Sequence, residues 1–308
     1  MSWLRILRWP NLVMIALTQY LIRLAIVEPL AIPHRLDHWH YALGVLISVC
    51  LAAAGYLVND LHDVEVDQRN KPGRVQLGRH ISENTAWWVY GLLNLVAVVG
   101  GYYLAGHVAL EDLWLLPPVA AGLLYLYATD FKSRPVLGNF LVSLLTALPV
   151  ALVAVYDILP ARPEGAAQIR AVQQAFQVVM AYALFAFWFN WIREMVKDAE
   201  DREGDAAEGY RTLAVILGVR RLRWIPWGMA LLAWLLIGYY ALGLWPNDKI
   251  SALYLLLFVL APLMYLIVVL PGSQSKAHFR RLSTLLKIIM LTGILSMVVF
   301  TLSLQAQL

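Results

Sequence analysis

Six aspartates carry the pattern in this chain that points most directly to chemistry. They stand in two sets with one spacing, D-x-x-D-x-x-x-D: Asp60, Asp63 and Asp67 in "NDLHDVEVD", and Asp198, Asp201 and Asp205 in "REMVKDAEDREGD". At about 100° per residue, these offsets set three carboxylates within about a 60° arc of a helix. Asn59 falls beside the first arc, Glu194 and Asn190 beside the second, while Glu65 and Glu200 point elsewhere. Like charges on one stripe repel one another, and a bound cation offsets that repulsion. Carboxylate oxygens suit hard divalent ions, and Mg²⁺ commonly combines one or two carboxylates with substrate phosphates. Asn59, Asp60, Asp63, Asp67, Asp198, Asp201 and Asp205 are therefore the metal candidates, and Lys71, Arg74, Lys132 and Arg211 are the bases to complete a clamp on a diphosphate. Neither set has the D-x-[DN]-x-[DN]-G order of a calcium-binding EF-hand loop.

The elements that must position these residues are long apolar helices. Of the 308 residues, 61% are hydrophobic and 14% charged. Water-soluble domains are nearer 45–50% and about 25%, so the chain has too little polar surface for a soluble fold of its size. An all-α, polytopic membrane protein is expected, as a single domain over residues 1–308. Nine runs are long and apolar enough to read as spans: roughly 11–31, 41–59, 86–106, 113–129, 136–157, 173–191, 226–244, 250–270 and 285–305. The acidic sets follow the second and sixth spans, and the even number of spans between them places both on one face. With a cytoplasmic N-terminus, all but five of the 24 Lys and Arg residues fall on that face, Lys287 counted among them. The exceptions are Arg23, Arg35, Arg162, Arg170 and Lys249. This is the positive-inside bias. It sets the Asp-rich loops in the cytoplasm at a plasma (inner) membrane, and it accounts for the net charge of +4 without a nucleic-acid partner. The single cysteine, Cys50, sits in an apolar run and reads as a small buried hydrophobe.

At these residues the chain resembles the UbiA-type intramembrane prenyltransferase superfamily, over nearly its whole length. The first motif stands as Asn59, Asp60, Asp63 and Asp67, followed by "NKPGR" at 70–74 and "GRHIS" at 78–82. "LYATDFKSRPVLGN" resembles the family's tyrosine–lysine loop and supplies Tyr127, Lys132, Gly138 and Asn139. The second D-x-x-x-D falls on Asp201 and Asp205, "GYRTLAVILG" follows it, and "LRWPN" brings Asn11 to the start of the first span. Val75 and Arg211 depart from the usual proline and lysine, and neither removes a ligand. The resemblance implies nine transmembrane helices around a central apolar cavity. It also implies Mg²⁺-dependent transfer of a prenyl group from a prenyl diphosphate to a lipid or lipid-precursor acceptor at the bilayer, with no obligate protein partner. Asp63, Asp67, Asp201 and Asp205 are the residues it makes catalytic. "REMVKDAEDREGD" is most similar to the digeranylgeranylglyceryl phosphate synthase branch, which adds a second prenyl chain to a glycerol-phosphate ether. That branch would give Arg193, Glu194, Lys197 or Arg8 a part in meeting the acceptor. Prenylation of an aromatic acceptor, 4-hydroxybenzoate or dihydroxynaphthoate, is the alternative.

Other residues carry simpler readings. Arg23, within the first span, is expected to pair with Glu28 or to snorkel. "HRLDHWH" at 34–40, with His34, His38 and His40, could suggest a metal site, but it lies on the opposite face and reads as a loop, and His62 as structural. The aromatic run "FAFWFNW" at 185–191 reads as packing or as lining of a prenyl path. A transporter would place its acids near the midplane on broken helices; here they sit at span ends among bases.

Overall fold

The computed structural model describes residues 2–64, 77–78 and 80–306, and they are overwhelmingly helical. Among the described residues, nine longer helices follow a short one, Ser2–Ile6. They are α1 (Trp9–Val27), α2 (His38–His62), α3 (Glu83–Val108), α4 (Leu116–Thr129), α5 (Leu137–Ile158), α6 (Gly165–Ala207), α7 (Val219–Leu244), α8 (Lys249–Gly272) and α9 (Lys276–Gln305). Each expected span thus has its helix, but among the described residues only eight are long and apolar enough to cross a membrane. The shortfall is α4, with 14 residues behind a 3₁₀ turn at Glu111–Leu115. Leu236, Leu242 and Val268 are 61%, 75% and 69% exposed. Outward-facing leucine and valine on this scale are at home in lipid and not in water.

The helices begin where side chains satisfy their free amides. Asp37 caps α2 through the amides of Trp39 and His40, Ser82 caps α3, Asp248 caps α8 and Ser275 caps α9. Two expectations need correction. The second acidic motif is not a loop: α6 runs unbroken to Ala207, because "MVKDAEDREGDAA" is rich in helix formers and the chain turns only near Gly209, at φ +75°. The last helix also starts earlier than expected: α9 begins at Lys276, ahead of the boundary at 285, and Lys287, counted with the cytoplasmic bases, lies within it.

The chain divides into two compact units. The first comprises residues 1–22, 31–132 and 144–183. In it, Arg35 and Leu36 donate their backbone amides to the fully buried carboxylate of Asp157, at 3.2 and 2.7 Å. Buried Gln19 donates to Ser48 Oγ at 3.0 Å and to the carbonyl of Pro149 at 2.8 Å. Cys50 is buried and free. The second unit comprises residues 23–30, 133–143 and 184–308, with a core that includes Phe189, Ile192, Leu263, Phe279 and Leu286. There Arg23 pairs with Glu28 at 2.8 Å, and Thr301 donates to the carbonyl of Ala25.

Candidate active site

The first acidic set is held by a small core. Leu57, Leu61 and Val64 bury against Ile6, Leu77, Ile81 and Ala86, which fixes the end of α2. The helix stops at His62, so Asp63 does not continue the helical arc. It takes the capping position at φ −94°, ψ 1°, a sparsely populated region where active-site residues are often found. Its carboxylate accepts the Asn59 side-chain amide at 3.0 Å and ion-pairs with Lys132. One turn earlier, Asp60 accepts from Arg8 at 2.8 Å. The Arg8 guanidinium lies 4.8 Å over the ring of Tyr56, whose hydroxyl accepts from Asn11 at 3.1 Å. Two contact sets therefore stand on this unit: Asn59, Asp63 and Lys132 in one, and Asp60, Arg8, Tyr56 and Asn11 in the other, with Arg8 paired to Asp60. Tyr127 lies half-buried in the last turn of α4. Asp67, Lys71 and Arg74 lie outside the described residues.

The second set is helical, as its spacing predicted. Asp198, Asp201 and Asp205 lie along one face of α6. Asp198 is held by Asn139 at 2.7 Å, and Asn139 is fixed in turn because its carbonyl accepts from Ser143 at 2.6 Å. Asn190 donates to the same Ser143 hydroxyl at 3.3 Å. Asp201 meets Lys276 only at 3.9 Å, and Asp205 accepts from Thr212 at 3.2 Å. Arg211 is exposed and anchors the following loop through its backbone amide, 3.2 Å from the Ser133 carbonyl. Glu200 points away from this face, as expected, and pairs with Arg280 at 2.8 Å. Beside the acids, Glu194 takes Arg193 at 2.6 Å and Lys197 at 3.6 Å.

The donor chemistry fits Mg²⁺. On the second unit Asp201 and Asp205 are partly exposed carboxylates, and on the first unit Asp63 is a carboxylate held in a fixed orientation. Sequence spacing missed three residues that touch this machinery: Thr212, Ser143 and Lys276. Single Ser, Thr and Lys residues carry no periodic signal, and only the fold brings them in.

The aromatic run and His62 make packing contacts, while Asp37, His40 and His107 bring ligand atoms within 4.8 Å of one another. Phe185 stacks on Phe189 with centroids 4.4 Å apart, and Trp188 donates to the carbonyl of Met229. His62 bonds the carbonyl of Val58 and meets Trp87 edge-on. In "HRLDHWH", His40 pairs with Asp37 at 2.8 Å and stacks on His107 at 3.6 Å, a partner the sequence did not indicate. The backbone and side-chain hydrogen bonds from His40 hold the Asp37 carboxyl below its ordinary range.

Long apolar helices bearing carboxylate sets among bases define an all-helical, multi-pass membrane protein of the prenyl-transferring class. The model of the UbiA prenyltransferase family matches residues 20–302, and the chain belongs to that family. It is 30% identical to the digeranylgeranylglyceryl phosphate synthase of Saccharolobus solfataricus, over 84% of this chain and 86% of that one. It is 30% identical to the enzyme of the same name from Methanothermobacter thermautotrophicus, over 93% and 91%. Among solved structures, one of a digeranylgeranylglyceryl phosphate synthase superposes with a TM-score of 0.65 at 22% identity, covering 96% of this chain and 98% of that one. A UbiA homologue from Archaeoglobus fulgidus bound to GPP and Mg²⁺ superposes with a TM-score of 0.59 at 16% identity, covering 96% and 99%. The chain is thus a prenyltransferase of this family.

Proposed function

We propose that this enzyme transfers a geranylgeranyl group from geranylgeranyl diphosphate to a prenylglyceryl phosphate, the second chain addition in ether-lipid synthesis. The observation that carries this reading is near full-length similarity to relatives named for that reaction. The Arg193–Glu194–Lys197 arrangement, which adds cations beside the acids, supports it. Asp60, Asp63, Asp67, Asp198, Asp201 and Asp205 are the ligands assigned to Mg²⁺, with Asn59 and Asn139 orienting Asp63 and Asp198. Bound Mg²⁺ supplies positive charge to the departing diphosphate. Lys132, Lys71, Arg74 and Arg211 are the bases assigned to its oxygens, and Tyr127 and Asn11 are assigned to the substrate. In the reaction the allylic C–O bond breaks, and its electron pair leaves with the diphosphate. The acceptor hydroxyl oxygen then bonds to the allylic carbon and loses its proton. Apolar helix faces keep water from the carbocation. The acid-bearing helix ends are assigned to the cytoplasmic face of the plasma membrane by the distribution of Lys and Arg.

The test is pyrophosphate release by purified protein with geranylgeranyl diphosphate and Mg²⁺, offered geranylgeranylglyceryl phosphate, 4-hydroxybenzoate or dihydroxynaphthoate in turn. Release with the glyceryl phosphate alone, abolished in Asp63→Ala, is the expected result. Release only with an aromatic acceptor would overturn the assignment.

A further inference from the structure

We propose that Asp37, His40 and His107 form a metal site separate from the acidic sets. It takes a borderline divalent cation such as Zn²⁺ and joins the start of α2 to the end of α3. All three residues belong to the first unit. Each offers one ligand atom, and these atoms lie within 4.8 Å of one another. Ligands round a tetrahedral Zn²⁺, about 2.0–2.2 Å from the ion, stand about 3.3 Å apart. The cluster therefore needs to close by about 1.5 Å or less, a distance that side-chain torsions supply.

The ligand atoms are those left over once the fold's own needs are met. Asp37 Oδ1 caps α2, accepting the amides of Trp39 and His40 at 2.9 Å each. The other oxygen, Oδ2, lies 2.8 Å from His40 Nδ1. A cation between these two atoms takes the place of the proton they share. The second ring nitrogen of His40, Nε2, is 3.3 Å from the Tyr103 hydroxyl. That hydroxyl is an acceptor for the proton left on Nε2, the outer contact that orients a metal-bound imidazole. His107 comes from the last turn of α3 and is fixed at its backbone, where its carbonyl accepts from the Arg35 guanidinium at 2.9 Å. Its ring stacks on that of His40, with centroids 3.6 Å apart and planes 12° from parallel. Among the described residues no group hydrogen-bonds either nitrogen of the His107 ring. In stacked rings the in-plane lone pairs run parallel and do not converge, so binding turns the His107 ring out of the stack about χ2, a broad torsion.

The ligand types select the ion. Two imidazoles with one carboxylate suit Zn²⁺, whereas Mg²⁺ prefers an all-oxygen set. Distance separates the two kinds of site. Asp63 closes the far end of α2, about 35 Å along the axis from His40 at about 1.5 Å per residue. An ion at His40 is therefore structural. It pins the entry of α2, where Arg35 and Leu36 hold the buried Asp157 of α5, to the exit of α3. The spacing within "HRLDHWH" did not show this set. His34 bonds the carbonyl of Ile32 instead, and the second imidazole arrives from α3.

Zn²⁺ titration of the full chain in lipid nanodiscs tests the assignment, with Mg²⁺ in excess and with wild type, His107→Gln and His40→Gln compared. In the wild type, X-ray absorption should read two imidazole nitrogens on the bound Zn²⁺, and the ion should raise the melting temperature. His107→Gln should weaken that binding at least about tenfold, remove one imidazole from the spectrum and abolish the thermal shift. The variant should melt close to the wild type when no Zn²⁺ is added, because the His107 ring gives up no hydrogen bond. If it does not fold, His40→Gln carries the same comparison. Zn²⁺ held by oxygen ligands alone would overturn the assignment by placing the ion on the acidic sets. Equal affinity and an unchanged imidazole count in both variants would overturn it too, as would no uptake of Zn²⁺ by the wild type.

Discussion

The Asp63 carboxylate is tied on two sides, to Asn59 and to Lys132, and stands just past the helix end. That geometry separates two roles that sequence spacing groups together. Asp63→Asn removes a charge assigned to the metal and should lower kcat/KM by about 100-fold or more. Asn59→Ala leaves the charge but frees its orientation, so the expected effect is a requirement for about 10–100-fold more Mg²⁺, with turnover largely regained at saturation. Magnesium titrations of the two variants distinguish these outcomes. In the second unit, Asn139 and Asp198 form a comparable pair. Asn139→Ala should cost about 1–3 kcal/mol, because it leaves a partly buried carboxyl without its hydrogen-bond partner. A double-mutant cycle with Asp198→Ala, read by thermal unfolding, should show most of that energy as coupling between the two positions.

Helix packing in each unit includes a close approach at glycine. A Cβ on Gly101 of α3 would stand 2.3 Å from the ring of Pro117, and one on Gly293 of α9 would stand 2.3 Å from the tip of Phe185. The neighbours differ in what they can yield. A proline ring is fixed to its own backbone, whereas the far edge of a phenylalanine can swing aside. Gly101→Ala should therefore destabilise by about 1–3 kcal/mol and Gly293→Ala by less. Phe185→Leu should recover most of the loss from Gly293→Ala, and melting temperatures in detergent are the check. Helix existence was readable from apolar run length, since every one of the nine expected spans has a helix at its place. The ends were not, because α6 and α9 continue through charged residues that hydropathy assigns to water. For the same reason the metal candidates were legible, by spacing, while Thr212 and Ser143 were not: a single hydroxyl acquires meaning only from the neighbours that the fold supplies.

Whether the molecule crosses the bilayer nine times turns on α4. Its 14 residues rise only about 21 Å, short of a hydrocarbon core of about 30 Å. The 3₁₀ turn Glu111–Leu115 ahead of it climbs more steeply, at about 2.0 Å per residue, and brings the combined reach to about 31 Å. On that length α4 is expected to cross, with the 3₁₀ turn making up its shortfall. The charge pattern requires the same: if α4 turned back, the bases before and after it would fall on different faces, and the bias that leaves all but five of 24 on one side would disappear. Cysteines placed at Leu110 and Thr129 bracket the element, and the native Cys50 is buried and should contribute little background. A membrane-impermeant maleimide should label Leu110→Cys and Thr129→Cys from opposite sides of oriented vesicles. Labelling of both from one side would make α4 re-entrant, leave the eight long helices as the only crossings, and remove the charge argument for a cytoplasmic face.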